Sequence, residues 1–176
     1  KADTMQDPLQ SIALFSQFLK EFKESHPLDK ITLILHSLGG IVGLHAAYEH
    51  LDAIGNIITI DSPLKGLPPI LNWQSGERLL SIFGEEVISF LLRAWQDEKY
   101  QERVKKIVAK ARERGIGVYT FASKDDLVVP WQAAFIEGAT DTINGEKIDL
   151  VFPMGKLWFQ FPPDLGHGRP LSHPRV

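Results

Sequence analysis

A serine, an acidic pair and a histidine stand far apart along the chain but in an order that could do chemistry. Ser37 follows His36 at the end of an apolar run, Asp125-Asp126 follow a second such run, and His167 sits between two glycines in "GHG". A serine hydroxyl is a poor nucleophile until an imidazole takes its proton, and the imidazole needs a carboxylate to fix its tautomer and balance its charge. Brought together, these residues would make an activated serine for acyl transfer. The stretch "LILHSLGGIVG", residues 33–43, is built for that use. A sharp strand-to-helix turn would lift the Ser37 hydroxyl above a sheet. Glycines after it would let helix and strand pack closely, and the Leu38 N–H near the helix N-terminus would face a developing oxyanion.

The elements that must position these residues are legible from periodicity. Asp7-Pro8 reads as an N-cap with proline at the first helical position. Leu9, Ile12, Phe15, Phe18, Leu19 and Phe22 recur at helical spacing, and that helix should end by His26-Pro27. "ITLIL", 31–35, reads as a strand buried on both faces of a parallel sheet, 39–50 as a helix, and "NIITI", 56–60, as a second strand. Between 63 and 114 lie two helical stripes, Val87, Ile88, Leu91, Leu92, Trp95 and Tyr100, Val104, Ile107, Val108, Ala111. "IGVYTFAS", 116–123, is a third strand and 131–137 a short helix. Asn144-Gly145 is expected to turn into a fourth strand near 148–152. Strands alternating with helices argue for an α/β fold, a mainly parallel sheet with flanking helices, in one domain over 1–176. In such sheets, chemistry sits beyond the carboxyl ends of the strands, where Ser37 and the acidic pair fall.

Four segments together resemble α/β-hydrolase lipases and esterases. "LHSLGGIVG" resembles their nucleophile elbow, "ITIDSPLKG" the strand and loop after it, "SKDDLVVP" their acid loop, and "GHGRPLSHPRV" their histidine segment. The resemblance implies Ser37 as nucleophile, Leu38 N–H as an oxyanion donor, Asp126 as the acid, with Asp125 behind it, and His167 as the base, with His173 behind it. It implies a serine carboxylic-ester hydrolase working through an acyl-enzyme, on small-molecule or lipid esters with apolar acyl chains. It also implies that the apolar 63–114 insertion is a helical lid, and that Trp131, Trp158, Phe159 and Phe161 line an acyl pocket or belong to the core. Two departures stand out. The pattern Gly-x-Ser-x-Gly has Leu35 at its first position, which crowds the elbow. One helix and no strand precede residue 31, so the family's upstream strands and second oxyanion donor are expected outside this sequence, and "KADTMQDP" reads as the interior of a longer protein.

Composition bounds the alternatives. With 44% apolar and 23% charged residues, the 176-residue chain can bury a core, and a net charge of −3 argues against a nucleic-acid partner. There are no cysteines, hence no disulfide or thiolate chemistry. No apolar run approaches bilayer length. His45 and Glu49 lie one helical turn apart with no third ligand nearby, so neither metal nor cofactor is expected. Lys105, Lys106, Lys110, Arg112 and Arg114 read as the wet face of a helix, with a membrane or lipid surface as the functional alternative. A dinucleotide-binding domain is the competing reading, with Gly40 and Gly43 in the turn and Asp61 on a ribose, though Leu38 breaks the glycine fingerprint. A non-catalytic or truncated α/β-hydrolase relative is another. In that case the 31–35 strand has an open edge, which a second molecule or an N-terminal segment is expected to cover.

Overall fold

The computed structural model describes residues 7–27, 29–69, 73–123, 126, 128–139 and 141–145. His167, His173, Trp158, Phe159, Phe161, Asp125 and the strand expected at 148–152 lie outside them.

Helix α1 spans Pro8–Ser25, and the Asp7 carboxylate caps it by accepting from the N–H groups of Leu9 and Gln10. Strand β1, Ile31–His36, runs into helix α2, Leu38–Ala47, with one residue between them. A short 3-10 turn at Leu51–Ala53 leads into strand β2, Ile54–Ile60. Helix α3, Trp73–Gln96, breaks at Gly84, whose φ of 77° and ψ of 164° are not helical. Helix α4, Glu98–Glu113, is capped by Asp97, whose carboxylate accepts from Lys99 N–H. Strand β3, Gly117–Ser123, helix α5, Trp131–Ala134, and strand β4, Asp141–Gly145, complete the described chain.

The four strands form one parallel sheet in the order β1-β2-β3-β4. Parallel neighbours in sequential order need crossovers of one hand, which places α2 and α4 on the same face. They do touch: α2 packs on β1 and β2, α4 on β3, and the two helices on each other, with α1 against α2. The core lies beneath them, with Leu33, Leu35, Ile41, Leu44, Ile57, Val104, Val108 and Val118 at most 9% exposed. The α4 stripe is thus a sheet-covering face: Val104, Ile107, Val108 and Ala111 point inward and the cations outward.

Two expectations differ from the observed structure. Strand β1 is buried on one face only: Leu33 and Leu35 point under α2, while Thr32 is exposed and Ile34 is 60% exposed. Its position explains this, because among the described strands β1 lies at the sheet edge and no described helix covers its second face. Asn144-Gly145 is not a turn but the end of β4, paired with Ala122 and Ser123 of β3. Pairing along β3 outweighs the local turn preference of the dipeptide.

Candidate active site

The carboxyl end of the sheet is set by register. His36 pairs with Ile60, so β1 and β2 end level and Ser37 and Asp61 emerge side by side, while β3, level with Ile60 at Phe121, runs two residues further to Ser123. The backbone there is anchored across strands: Ser37 N–H donates to Ile60 O (3.0 Å) and Asp61 N–H to Phe121 O (2.9 Å).

Ser37 alone joins β1 to α2, with φ 54° and ψ −131°. A non-glycine residue there costs about 1–3 kcal/mol and persists only where its surroundings dictate it. Serine at a helix N-cap ordinarily turns its hydroxyl back to a first-turn N–H. Ser37 makes no such bond, although its carbonyl does accept from Gly40 N–H (2.9 Å). The hydroxyl is therefore not spent on capping the helix. Leu38 opens α2, so its N–H is one of those at the helix start without an intrahelical acceptor, and the positive end of the helix dipole lies beside Ser37.

The crowding expected from Leu35 is resolved one helical turn along α2. A Cβ at Gly43 would sit 2.5 Å from both Leu35 methyl carbons, so the Leu35 side chain fills the space that glycine leaves. Gly40 serves the other side of the elbow, since a Cβ there would collide with Ser62. Ser62 is itself fixed, its hydroxyl donating to Ile60 O (3.1 Å) and Leu35 O (3.4 Å). The small residues near the serine therefore have distinct uses, and "G-x-S" spacing alone would have missed the trade between 35 and 43.

Asp126 follows β3 and is 7% exposed. Its Oδ1 accepts from the N–H groups of Val128 (2.7 Å) and Val129 (3.1 Å), and its own N–H donates to Ser123 O (3.4 Å). This is a tight turn docked on the core through Val128 and Val129, each 2% exposed. Strands β1 and β3 are two strand spacings apart, roughly 10 Å. His167, the expected base, lies outside the described residues. Trp131 is half-buried in α5 and packs against Phe135 with ring centroids 5.5 Å apart.

Asp61, the ribose ligand of the dinucleotide reading, is fully buried, with φ 43°, and its carboxylate accepts from Ser123 N–H (3.0 Å). A carboxylate sealed in that way does not present itself to a ribose, which removes the dinucleotide reading. The sequence signal that could have found it was an acid immediately after a buried strand, level with Ser37. His45 is a core residue whose Nδ1 lies 2.9 Å from Ile41 O and whose ring stacks on Tyr100. Burial holds its pKa below the ordinary histidine value. Among the described residues no three His, Asp or Glu side chains gather in a way that could hold a metal ion.

No protein-family model and no curated protein matches the chain. In chain path it is similar to solved α/β-hydrolase structures. A lipase-esterase related protein from Clostridium acetobutylicum is 16% identical, with 80% of this chain and 67% of that one matched at a TM-score of 0.49. A monoacylglycerol lipase from Paleococcus ferrophilus is 14% identical, with 78% and 65% matched at 0.45. An alpha/beta hydrolase enzyme from the metagenome of lagoon sediments at Mar Chica, Morocco, is 18% identical, with 76% and 59% matched at 0.45. The matched part of this chain thus spans about three fifths to two thirds of the length of these proteins.

Proposed function

We propose that the chain carries the serine site of a carboxylic-ester hydrolase of the lipase or esterase kind. The observation that carries this reading is the Ser37 backbone: a strained φ of 54° at a one-residue strand-to-helix junction, with the hydroxyl not spent on capping. In the proposed mechanism, Ser37 Oγ attacks the ester carbonyl while the His167 imidazole takes its proton. Asp126 holds the imidazole's other N–H. Leu38 N–H donates to the oxyanion, together with a second donor from outside this sequence. The imidazolium returns its proton to the leaving alcohol, and a water, deprotonated in turn by His167, releases the acyl group and frees Ser37. The apolar residues of α3 and Trp131 suit an apolar acyl chain, and α3 before its break at Gly84 is the segment to act as a lid. A lipid surface would be met through the basic run Lys105, Lys106, Lys110, Arg112 and Arg114 along α4 and just after it.

The reading is tested with p-nitrophenyl esters of increasing acyl length. Ser37→Ala should lower kcat by about four to six orders of magnitude. A variant keeping most of its ester hydrolysis refutes the assignment.

The open edge of β1 favours a companion proposal. Edge strands are usually short, charged or covered, whereas "ITLILH" is uncharged and leaves Ile34 60% exposed. A second molecule or a preceding strand of a longer chain covers this edge. If the cover is a second molecule, Ile34→Lys should shift sedimentation towards monomer, whereas a wild-type chain that stays monomeric at every concentration rules the second molecule out.

A further inference from the structure

Two residues other than glycine among those described have positive φ, Ser37 and Asp61, and they stand next to each other on neighbouring strands. The first is explained by the need to lift a hydroxyl. The second is not, because the same backbone is adopted more readily by glycine or asparagine. A fully buried carboxylate is also a costly choice, since its charge must be held by donors. What aspartate provides at 61 is an oxygen acceptor at that depth, and it is used: Oδ1 takes the N–H of Ser123 (3.0 Å).

The bond continues into the site. The Ser123 carbonyl accepts the N–H of Asp126 (3.4 Å), and the Asp126 carboxylate closes its own turn on Val128 and Val129. Asp61 is tied to β3 at its other end as well, through its N–H to Phe121 O (2.9 Å). The Ser123 N–H and C=O, on the two peptide groups that flank its Cα, are therefore both committed, one to Asp61 and one to Asp126.

We propose that Asp61 is a positioning residue: its carboxylate fixes the Ser123 peptide, which sets the place of Asp126 relative to Ser37. This rests on the serine-hydrolase reading above and assigns Asp61 no contact with substrate. The acceptor oxygen matters here, so Asp61→Asn, which keeps an oxygen and tolerates the backbone, should behave like wild type. Asp61→Gly eases the backbone but removes the oxygen.

The test compares wild type, Asp61→Asn and Asp61→Gly in two measurements. One is amide hydrogen exchange at Ser123 without substrate. The other is the rate at which a fluorophosphonate labels Ser37. In wild type the Ser123 amide should be as protected as that of Val118 within the sheet, and Asp61→Asn should stay within about threefold of wild type in both measurements. Asp61→Gly, at an unfolding midpoint near that of wild type, should exchange Ser123 and lose labelling rate by about tenfold or more each. A folded Asp61→Gly variant that labels at the wild-type rate overturns the proposal, as does fast Ser123 exchange in wild type. So does an Asn variant as slow as the Gly variant, which would make the charge rather than the acceptor the requirement. If Asp61→Gly does not fold, fast Ser123 exchange in wild type or slow labelling of the Asn variant still overturns the proposal. If wild type is not labelled at all, the hydrolase reading fails, and exchange at Ser123 separately reports whether the clamp exists.

Discussion

Leucine stands two residues before Ser37, and the structure accommodates it by leaving residue 43 without a side chain. Adding one methyl at 43 tests this quantitatively. A Cβ there lies 2.5 Å from both Leu35 methyl carbons and 3.0 Å from its Cγ, so the methyls fall an ångström or more inside the usual carbon–carbon contact of about 3.5–4.0 Å. Both methyls are in the way at once, and Leu35 is only 9% exposed, so it cannot swing into solvent without leaving the core. Overpacking of this kind costs about 1–3 kcal/mol. Replacing glycine by alanine inside a helix returns about 1 kcal/mol. Gly43→Ala should therefore destabilise by about 0–2 kcal/mol. Leu35→Ala alone should cost about 2–5 kcal/mol through the cavity it leaves. With Leu35 already truncated, the collision is gone and only the helix gain remains, so Gly43→Ala should now stabilise by about 1 kcal/mol. The change of sign is the signature, a coupling of about 1–3 kcal/mol in a double-mutant cycle. Urea unfolding measures it, as midpoint shifts at constant slope. If Gly43→Ala has the same effect in both backgrounds within about 0.5 kcal/mol, the account of how Leu35 is tolerated is wrong.

Three further outcomes follow from the same geometry. Ser37→Gly should be more stable than Ser37→Ala by about 1–2 kcal/mol in thermal unfolding, because only glycine relaxes at φ 54°; equal stability would mean the turn is unstrained. Asp126→Asn keeps an oxygen for Val128 and Val129 N–H, so the fold should persist while kcat falls by about 10⁴; activity within tenfold of wild type would remove Asp126 from the triad. His45 has its pKa lowered by burial, so below the ordinary value of about 6.5 the unfolded chain takes up a proton that the folded chain refuses. Its contribution is thus fully present above that pH and is lost as the pH falls towards its folded value. The drop in urea midpoint between about pH 7.5 and about pH 5 should be smaller in His45→Gln than in wild type, and an equal drop would contradict this.

Much of the fold could be read because its signals are local. Asp7-Pro8 caps α1 through two side-chain bonds, and the alternation of β-branched runs with helical stripes places β1, β2 and β3 within two residues of their observed bounds. Ser37 and Asp126 were legible as a serine after a strand and an acid before an aliphatic run. What stayed hidden depends on pairs distant in sequence. Leu35 and Gly43 are intelligible only together, and Asp61 only once β2 and β3 are level and its carboxylate meets Ser123. The one-sided burial of β1 is likewise decided by what lies beside the strand, not by its own residues. Asn144-Gly145 shows a strong local preference overruled by a neighbouring strand.

The central claim is that Ser37 is an activated nucleophile served by His167. Treatment of the folded chain with a fluorophosphonate, followed by peptide mass spectrometry, tests it most directly. The account predicts a single adduct on Ser37 that is lost in His167→Ala. A folded chain that carries no adduct, or one that labels equally well without His167, would contradict it.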